Sequence, residues 1–371
     1  MTDLSTSAPT RSTRLVPFDD LTVDEMDAWS RLRASNPALD SPYFHPGFAA
    51  AVHAGGQPVV VVVSRDPDGR VTALLPTHRS GGRLVPVGWP GADFQGPIAA
   101  PESLGSPLDL LPAGIREARF DHLVSPGASF DPFILARHVS PFIDTTGGLE
   151  GYLGRASRAG RENMSQARRR TAKAERQFGP VTFAADVVDE DALGRVISLK
   201  RAQYAATGVR DYFAEPSRIE LMSRLLHTRQ PDFAGILSTV HIGGQLLAAH
   251  FGIRSERVLH WWFPVYDPQY SQLAPGWILL RELVVAAPEL GVNRIDLGRG
   301  DDEYKRRAKT GEAVVCQATV TRSAARRMAR QVRHNVATLA RSSALAPALR
   351  PIVRRLRNGR AQRTDEEGGI T

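Results

Sequence analysis

Cysteine is almost absent from this chain: Cys316 is the only one in 371 residues. An intramolecular disulfide is thereby excluded, and the usage fits a reducing compartment. Nothing in the sequence around Cys316 points to a lowered thiol pKa, so it reads as a small apolar strand residue. Long apolar runs are missing too. No stretch approaches the ~20 residues that span a bilayer, and the N-terminus holds no apolar segment of the signal-peptide type. A cytoplasmic protein is the expectation. Acid is scarce toward the C-terminus, where residues 321–371 carry twelve arginines against Asp365, Glu366 and Glu367. The net charge of the whole chain is +8, so the remainder is close to neutral and the basic character belongs to a tail. Nucleic-acid binding by the folded body is not expected.

The length suffices for two domains with full cores, and Phe233–Lys309 is the most informative stretch. Strands are expected at Ala234–His241, Gln245–Arg254 and Arg257–Tyr266. Gly243-Gly244 and Ser255-Glu256 join them, short links of the kind that close antiparallel hairpins. Asp267–Pro275 reads as a loop and Gly276–Ala287 as a helix, with Ile278, Leu279, Leu283 and Val284 at helical spacing. Pro288 and Gly291 stop it. A strand at Asn293–Leu297 then leads through a Gly-rich turn into the polar run Asp301–Lys309, a short helix.

Upstream, residues 1–14 are rich in Ser, Thr and Pro and are expected to be unstructured. A helix at Asp24–Arg33 precedes a β-branched run at Pro58–Ser64, which reads as a buried strand. Asp66-Pro67-Asp68-Gly69 turns it back through Arg70–His78, and Arg83–Val87 follows. A Gly/Pro loop holds Asp93-Phe94-Gln95-Gly96-Pro97. Arg119–Val124 and Ser140–Ile143 supply further strands. The strand–hairpin–strand pattern of Pro58–Val87 recurs at Ala234–Tyr266, as two diverged copies of one fold would. Gly148–Gly179 reads as one long helical segment with eight Arg or Lys against three Glu. It is either a solvated amphipathic face or a basic rim for an anionic ligand. After a last strand at Ala313–Thr321, residues 323–341 form an Arg-rich helix with Val332, Val336 and Leu339 on one side. Pro347 and Pro351 separate it from a second basic piece. This tail is either a solubilising extension or a contact for an anionic membrane surface.

With Ser255-Glu256 as a two-residue turn, Phe251 faces His260 and His250 faces Trp261. His250 and His260 then point to opposite sides and His241 lies far along, so no zinc site is expected from them. His250 against Trp261 is a core histidine or a general base. Pro264 cannot donate to the ladder, so pairing should fail or bulge there. Just beyond, Ser271-Gln272-Leu273-Ala274-Pro275-Gly276 leads into a helix whose first N–H groups suit a diphosphate.

A parted strand followed by an anion-ready helix start resembles the acyl-CoA site of the GNAT acetyltransferases. The run from Asp296 through Gly298, Arg299, Gly300, Asp301 and Tyr304 to Lys305 resembles more particularly the CelD/BcsL-type acetyltransferases. So do the preceding His260–Gly276, Ala248–Gly252 and the Asp93–Ile98 segment. Those enzymes are associated with cellulose and other polysaccharide biosynthesis and are relatives of the Fem-type peptidyltransferases. The likeness covers roughly residues 40–320. It implies a mixed α/β fold with two GNAT-like domains in tandem, at 15–145 and 146–321. Each is a mostly antiparallel sheet flanked by helices, and the basic helical tail 322–371 follows.

The resemblance further implies transfer of an acyl group from acetyl-CoA or another acyl-CoA, used as co-substrate with no tightly bound cofactor. The acceptor would be a sugar-linked molecule or nucleotide sugar, taking the group on an amine or, alternatively, a hydroxyl. The usual GNAT pyrophosphate loop is only approximated by Gln272–Gly276, so the aminoacyl-tRNA used by Fem relatives stays open as donor, as does a non-catalytic binding module. His250 is the expected base, Asp301 its alternate or orienting carboxylate, and Tyr304 the acid for the leaving thiolate. Phe263, Val265, Gln272, Leu273, Ala274, Gly276 and Trp277 are expected at the donor, and Trp261, Asp296, Arg299 and Lys305 at the acceptor. No metal is expected.

Overall fold

A computed structural model describes residues 12–101 and 105–342. The extreme N-terminus and the second basic piece of the tail lie outside the described residues. The first half runs β1 (Ser12–Pro17), α1 (Val23–Ala34), α2 (Pro46–Ala54), β2 (Val60–Arg65), β3 (Val71–Ser80), β4 (Arg83–Pro86), β5 (Ile98–Ala99), β6 (Glu117–Val124) and β7 (Ile134–Asp144). Next come α3 (Gly148–Arg155), α4 (Arg158–Phe178), β8 (Val181–Ala184), α5 (Glu190–Thr207), α6 (Pro216–His227), β9 (Arg229–Gln230), β10 (Phe233–Ile242) and β11 (Gln245–Ser255). The second half closes with β12 (Val258–Tyr266), α7 (Pro275–Ala286), β13 (Arg294–Asp296), α8 (Glu303–Ala308) and β14 (Gly311–Thr321). The chain through Arg322 is one compact unit; α9 (Ala324–Ser342) belongs to the other.

The fold is mixed α/β, and its strands form a single mostly antiparallel sheet in the order β1-β2-β3-β4-β6-β14-β7-β13-β12-β11-β10-β8. The order reads the same inward from either edge. Each side has an edge strand and a three-strand meander, and the meander's last strand is joined in parallel by the next: β4 with β6, and β12 with β13. The closing strands are exchanged. β14, last in sequence, pairs with β6 of the first half, and β7 pairs with β13 of the second. β7 and β14 then pair with each other along the middle. The junction expected near residue 145 is therefore topological, because each half is completed by a strand of the other. Strands inside the edges are buried on both faces, which is why β2, next to β1, is a run of valines and β10 (FAGILSTVHI), next to β8, hides nearly every side chain.

Local chemistry accounts for the element ends. Thr22 and Glu25 form a capping box on α1. Gly243-Gly244, both with positive φ, close the β10–β11 hairpin where Ile242 faces Gln245. Four expectations need correction. Ser12–Arg14 are not unstructured: they pair with Arg65, Ser64 and Val63. The long helical segment breaks at Ala156, which turns extended, and Ser157 caps a fresh helix by accepting from the Gly160 N–H. The β11–β12 turn is Glu256-Arg257, with Ser255 facing Val258 and Glu256 at φ 47°. Finally, Pro264 keeps a partner, His250, and the irregularity falls two residues earlier.

Candidate active site

β12 and β13 pair only from Val258 to His260 and from Arg294 to Asp296. Beyond that point they part, and Trp261–Tyr266 remain attached to β11 alone. The cause is a bulge. The β11–β12 register steps from Ile253–His260 to Phe251–Phe263, so Trp261 and Trp262 stand opposite the one residue Gly252. A bulge bends its strand and raises the local twist, while the chain after β13 turns away at Gly298, φ 73°. Gly252 permits the arrangement, since a Cβ there would fall 2.1 Å from the His260 carbonyl oxygen and 2.5 Å from the His250 ring.

The gap opens into a cavity of about 720 Å³. Trp261, Trp262, Pro264, Val265 and Tyr266 line it from the parted strand, and Ser271, Ala274, Pro275, Gly276 and Trp277 from the approach to α7. Tyr304, Lys305, Lys200 and Asp93 add its polar walls. At the start of α7, Ala274 has φ 47° and no side chain caps the helix. Gly276 is exposed, and a Cβ added to it would meet nothing within 4 Å. The uncapped helix start thus faces open space with the positive end of its dipole.

Two lysines reinforce that charge. Burial pushes the Lys200 ammonium down to about 8, and the Lys305 charge pushes the same way. Lys305 is also lowered by burial, against the pull of Asp93 and Asp302. Its Nζ donates to the carbonyls of Gly298 and Arg299 at 3.3 and 3.0 Å. Burial, with the nearby Asp302 and Asp93 charges, holds the Tyr304 phenol well above its usual pKa, so it keeps its proton.

Of the two carboxylates that line the cavity, Asp302 comes from the second half and Asp93 from the first. Asp93 Oδ2 lies 3.1 Å from His260 Nε2 and Oδ1 lies 3.2 Å from His122 Nε2. Burial raises Asp93, but the His260 hydrogen bond and the charges of His260, His122 and Lys305 outweigh it and leave the pKa lowered. The loop reaches this place because Gln95 behaves as a strand residue beside β6. Its N–H donates to the His122 carbonyl at 3.1 Å, and its carbonyl accepts from Val124 N–H at 2.9 Å. β4 and β6 also part after two residue pairs, so the slot equivalent to the β12–β13 gap is filled here by the chain's own Gln95. Asp93 projects from this plug toward the other half. Gly298 must be glycine, because a Cβ would stand 2.2 Å from the Asp93 carboxylate.

The expected site residues divide. Trp261, Val265, Ala274, Gly276, Trp277, Tyr304 and Lys305 meet around the one cavity. His250 does not line it: its ring stacks on Trp261 at 4.2 Å between centroids, and burial drives its pKa down to about 3. So weak a base corrects the expected role for His250. Asp301 is exposed and paired with Arg306. Asp296 is buried against Arg294, which also clasps Asp40, and Arg299 donates to the Asp121 carbonyl at 2.9 Å. Both hold the fold rather than face the cavity. Phe263 packs on Tyr212 and Phe213, Leu273 is in the core, and Gln272 is exposed off the lining.

Residues 160–306, which supply every cavity wall except Asp93, match the family model described as an acetyltransferase (GNAT) domain. The chain carries an acyltransferase domain of the GNAT type. No curated protein matches the chain. Among solved structures, FemX superimposes with a TM-score of 0.55 at 11% identity, over 83% of this chain and 96% of that one. The C-terminal domain of a putative lysylphosphatidylglycerol synthetase from Agrobacterium fabrum gives 0.50 at 14%, over 85% and 96%. A tandem GNAT protein from the clavulanic acid biosynthesis pathway gives 0.45 at 13%, over 84% and 98%. At these identities the likeness is one of fold. Sequence reasoning left out Asp93, Trp262 and Lys200, which line the cavity, and His122 and His260, which flank Asp93. The Asp93–Pro97 motif was a visible signal for the first. Nothing in the sequence marks Lys200, which reaches the cavity from the middle of α5.

Proposed function

We propose that the protein transfers an acyl group from acyl-CoA to an amine of a sugar-linked acceptor, in the making of a polysaccharide or other envelope polymer. One observation carries the reading: the unpaired edge of β12 and the uncapped start of α7 open on the same cavity. A pantetheine arm has amides to hydrogen-bond a free strand edge, and its diphosphate suits a helix N-terminus backed by lysines. The tryptophan faces of Trp261, Trp262 and Trp277 offer flat apolar surfaces on which a sugar ring stacks.

In this reading the acceptor ammonium docks on Asp93. It loses a proton to water, and the neutral nitrogen, held beside Asp93, then attacks the thioester carbonyl. Backbone N–H groups of β12 that β13 leaves unpaired stabilise the oxyanion. The C–N bond forms and the C–S bond breaks, Tyr304 gives its hydroxyl proton to the thiolate, and the second proton lost by the nitrogen restores Tyr304 through water.

Calorimetry with acetyl-CoA, longer acyl-CoAs and CoA tests the donor, and mass spectrometry of amino-sugar acceptors tests the transfer. Tyr304→Phe should lower kcat while leaving donor affinity intact. A calorimetric blank with every CoA species, or turnover only with aminoacyl-tRNA, would overturn the proposal.

A further inference from the structure

Helix α9 carries an apolar stripe that is exposed among the described residues. Met328, Val332 and Val336 recur every four residues, which puts them on one face, and they are 68%, 53% and 60% exposed. Ala325 and Ala329 are exposed on the same side, whereas Arg327, Arg330, Gln331 and His334 on the other side are half-buried. Arg326 and Arg333 are exposed along the border of the stripe. No acidic residue occurs between Thr321 and Asp365.

Each possible cover makes a different demand. A second copy of the helix would bring arginine rows together with no carboxylate between them. A nucleic acid would pair with the arginines and leave methionine and valine in water. An anionic bilayer takes both, because the apolar stripe enters the acyl boundary while guanidinium groups meet lipid phosphates. We infer that α9 is an interfacial anchor lying in the surface of an anionic lipid bilayer, with Met328, Val332 and Val336 immersed and Arg326 and Arg333 at phosphate level.

The test is co-sedimentation of the full chain with vesicles of phosphatidylglycerol and phosphatidylcholine, against phosphatidylcholine alone. The expected partition is roughly tenfold or more in favour of the anionic vesicles, weakened by salt. The triple variant Met328→Ser/Val332→Ser/Val336→Ser should lose that binding with its thermal transition unchanged, since all three sites are exposed. The pair Arg326→Glu/Arg333→Glu should abolish the preference for anionic lipid, and it carries the test if the triple variant does not fold. Equal binding to both vesicles, no binding, or unaltered binding by the triple variant overturns the inference. A concentration-dependent dimer that the triple variant abolishes would assign the stripe to a second copy. A nucleic-acid shift lost in that variant would assign it there instead.

Discussion

Asp93 Oδ2 and His260 Nε2 stand 3.1 Å apart, one from a loop of the first half and the other from β12 of the second. Sequence distance separates them, and the exchanged strands β7 and β14 bring their halves into one sheet. Asp93→Asn keeps the shape of this contact but removes the charge that would receive an ammonium. Loss of the charge that positions the acceptor amine should lower kcat/KM by about 10²-fold. Donor affinity by calorimetry should hold. An equal loss of donor affinity would place Asp93 in donor binding instead.

Gly276 tests the phosphate site without disturbing the core. A side chain there enters open space, and Gly276→Glu sets a carboxylate at a helix start, which favours the helix itself. Thermal stability should be unchanged or slightly raised, while acyl-CoA affinity falls by about tenfold or more as like charges meet. Calorimetry beside a melting curve separates the two effects.

Lys200 predicts a pH dependence of binding. With its ammonium brought down to about 8 by burial, it is charged at neutral pH and loses its proton as pH rises through that value. Anionic donors should therefore bind more weakly at pH 9 than at pH 7, and Lys200→Met should flatten the profile. A slope that persists in the variant would trace the effect to another group.

His250 makes a different prediction, about stability. Its folded pKa of about 3 lies below the usual 6.5, so the unfolded chain binds the extra proton between these values. The contribution to stability is complete above pH 6.5 and declines as pH falls toward 3. At pH 5 the loss is on the order of 2 kcal/mol. His250→Phe keeps an aromatic ring against Trp261 without a titrating group, and denaturant melts at pH 5 and 7.5 should show a smaller difference than in the parent.

Several features were legible before any coordinates. The Gly243-Gly244 hairpin and the α7 helix follow from turn chemistry and apolar spacing. Both are local. The register of β12 was not: the turn falls at Glu256-Arg257 rather than Ser255-Glu256, and a bulge at Trp261-Trp262, which has no residue signature, shifts every partner beyond it once more. His250 was misjudged for the same reason. A histidine beside a tryptophan on a strand looks alike whether its ring faces a ligand or the core, and only burial distinguishes the two.

By itself the sequence determined the mixed α/β class, the two meanders, the basic tail and the position of the α7 helix start. Each rests on contacts between near neighbours or on charge, which composition and spacing record. Tertiary structure alone decided that the halves exchange their closing strands and that Gln95 fills the first slot. It also decided that Asp93 is delivered to the second, against His260 and Gly298. These are long-range pairings, and their free energy depends on surfaces that do not exist until the sheet is assembled.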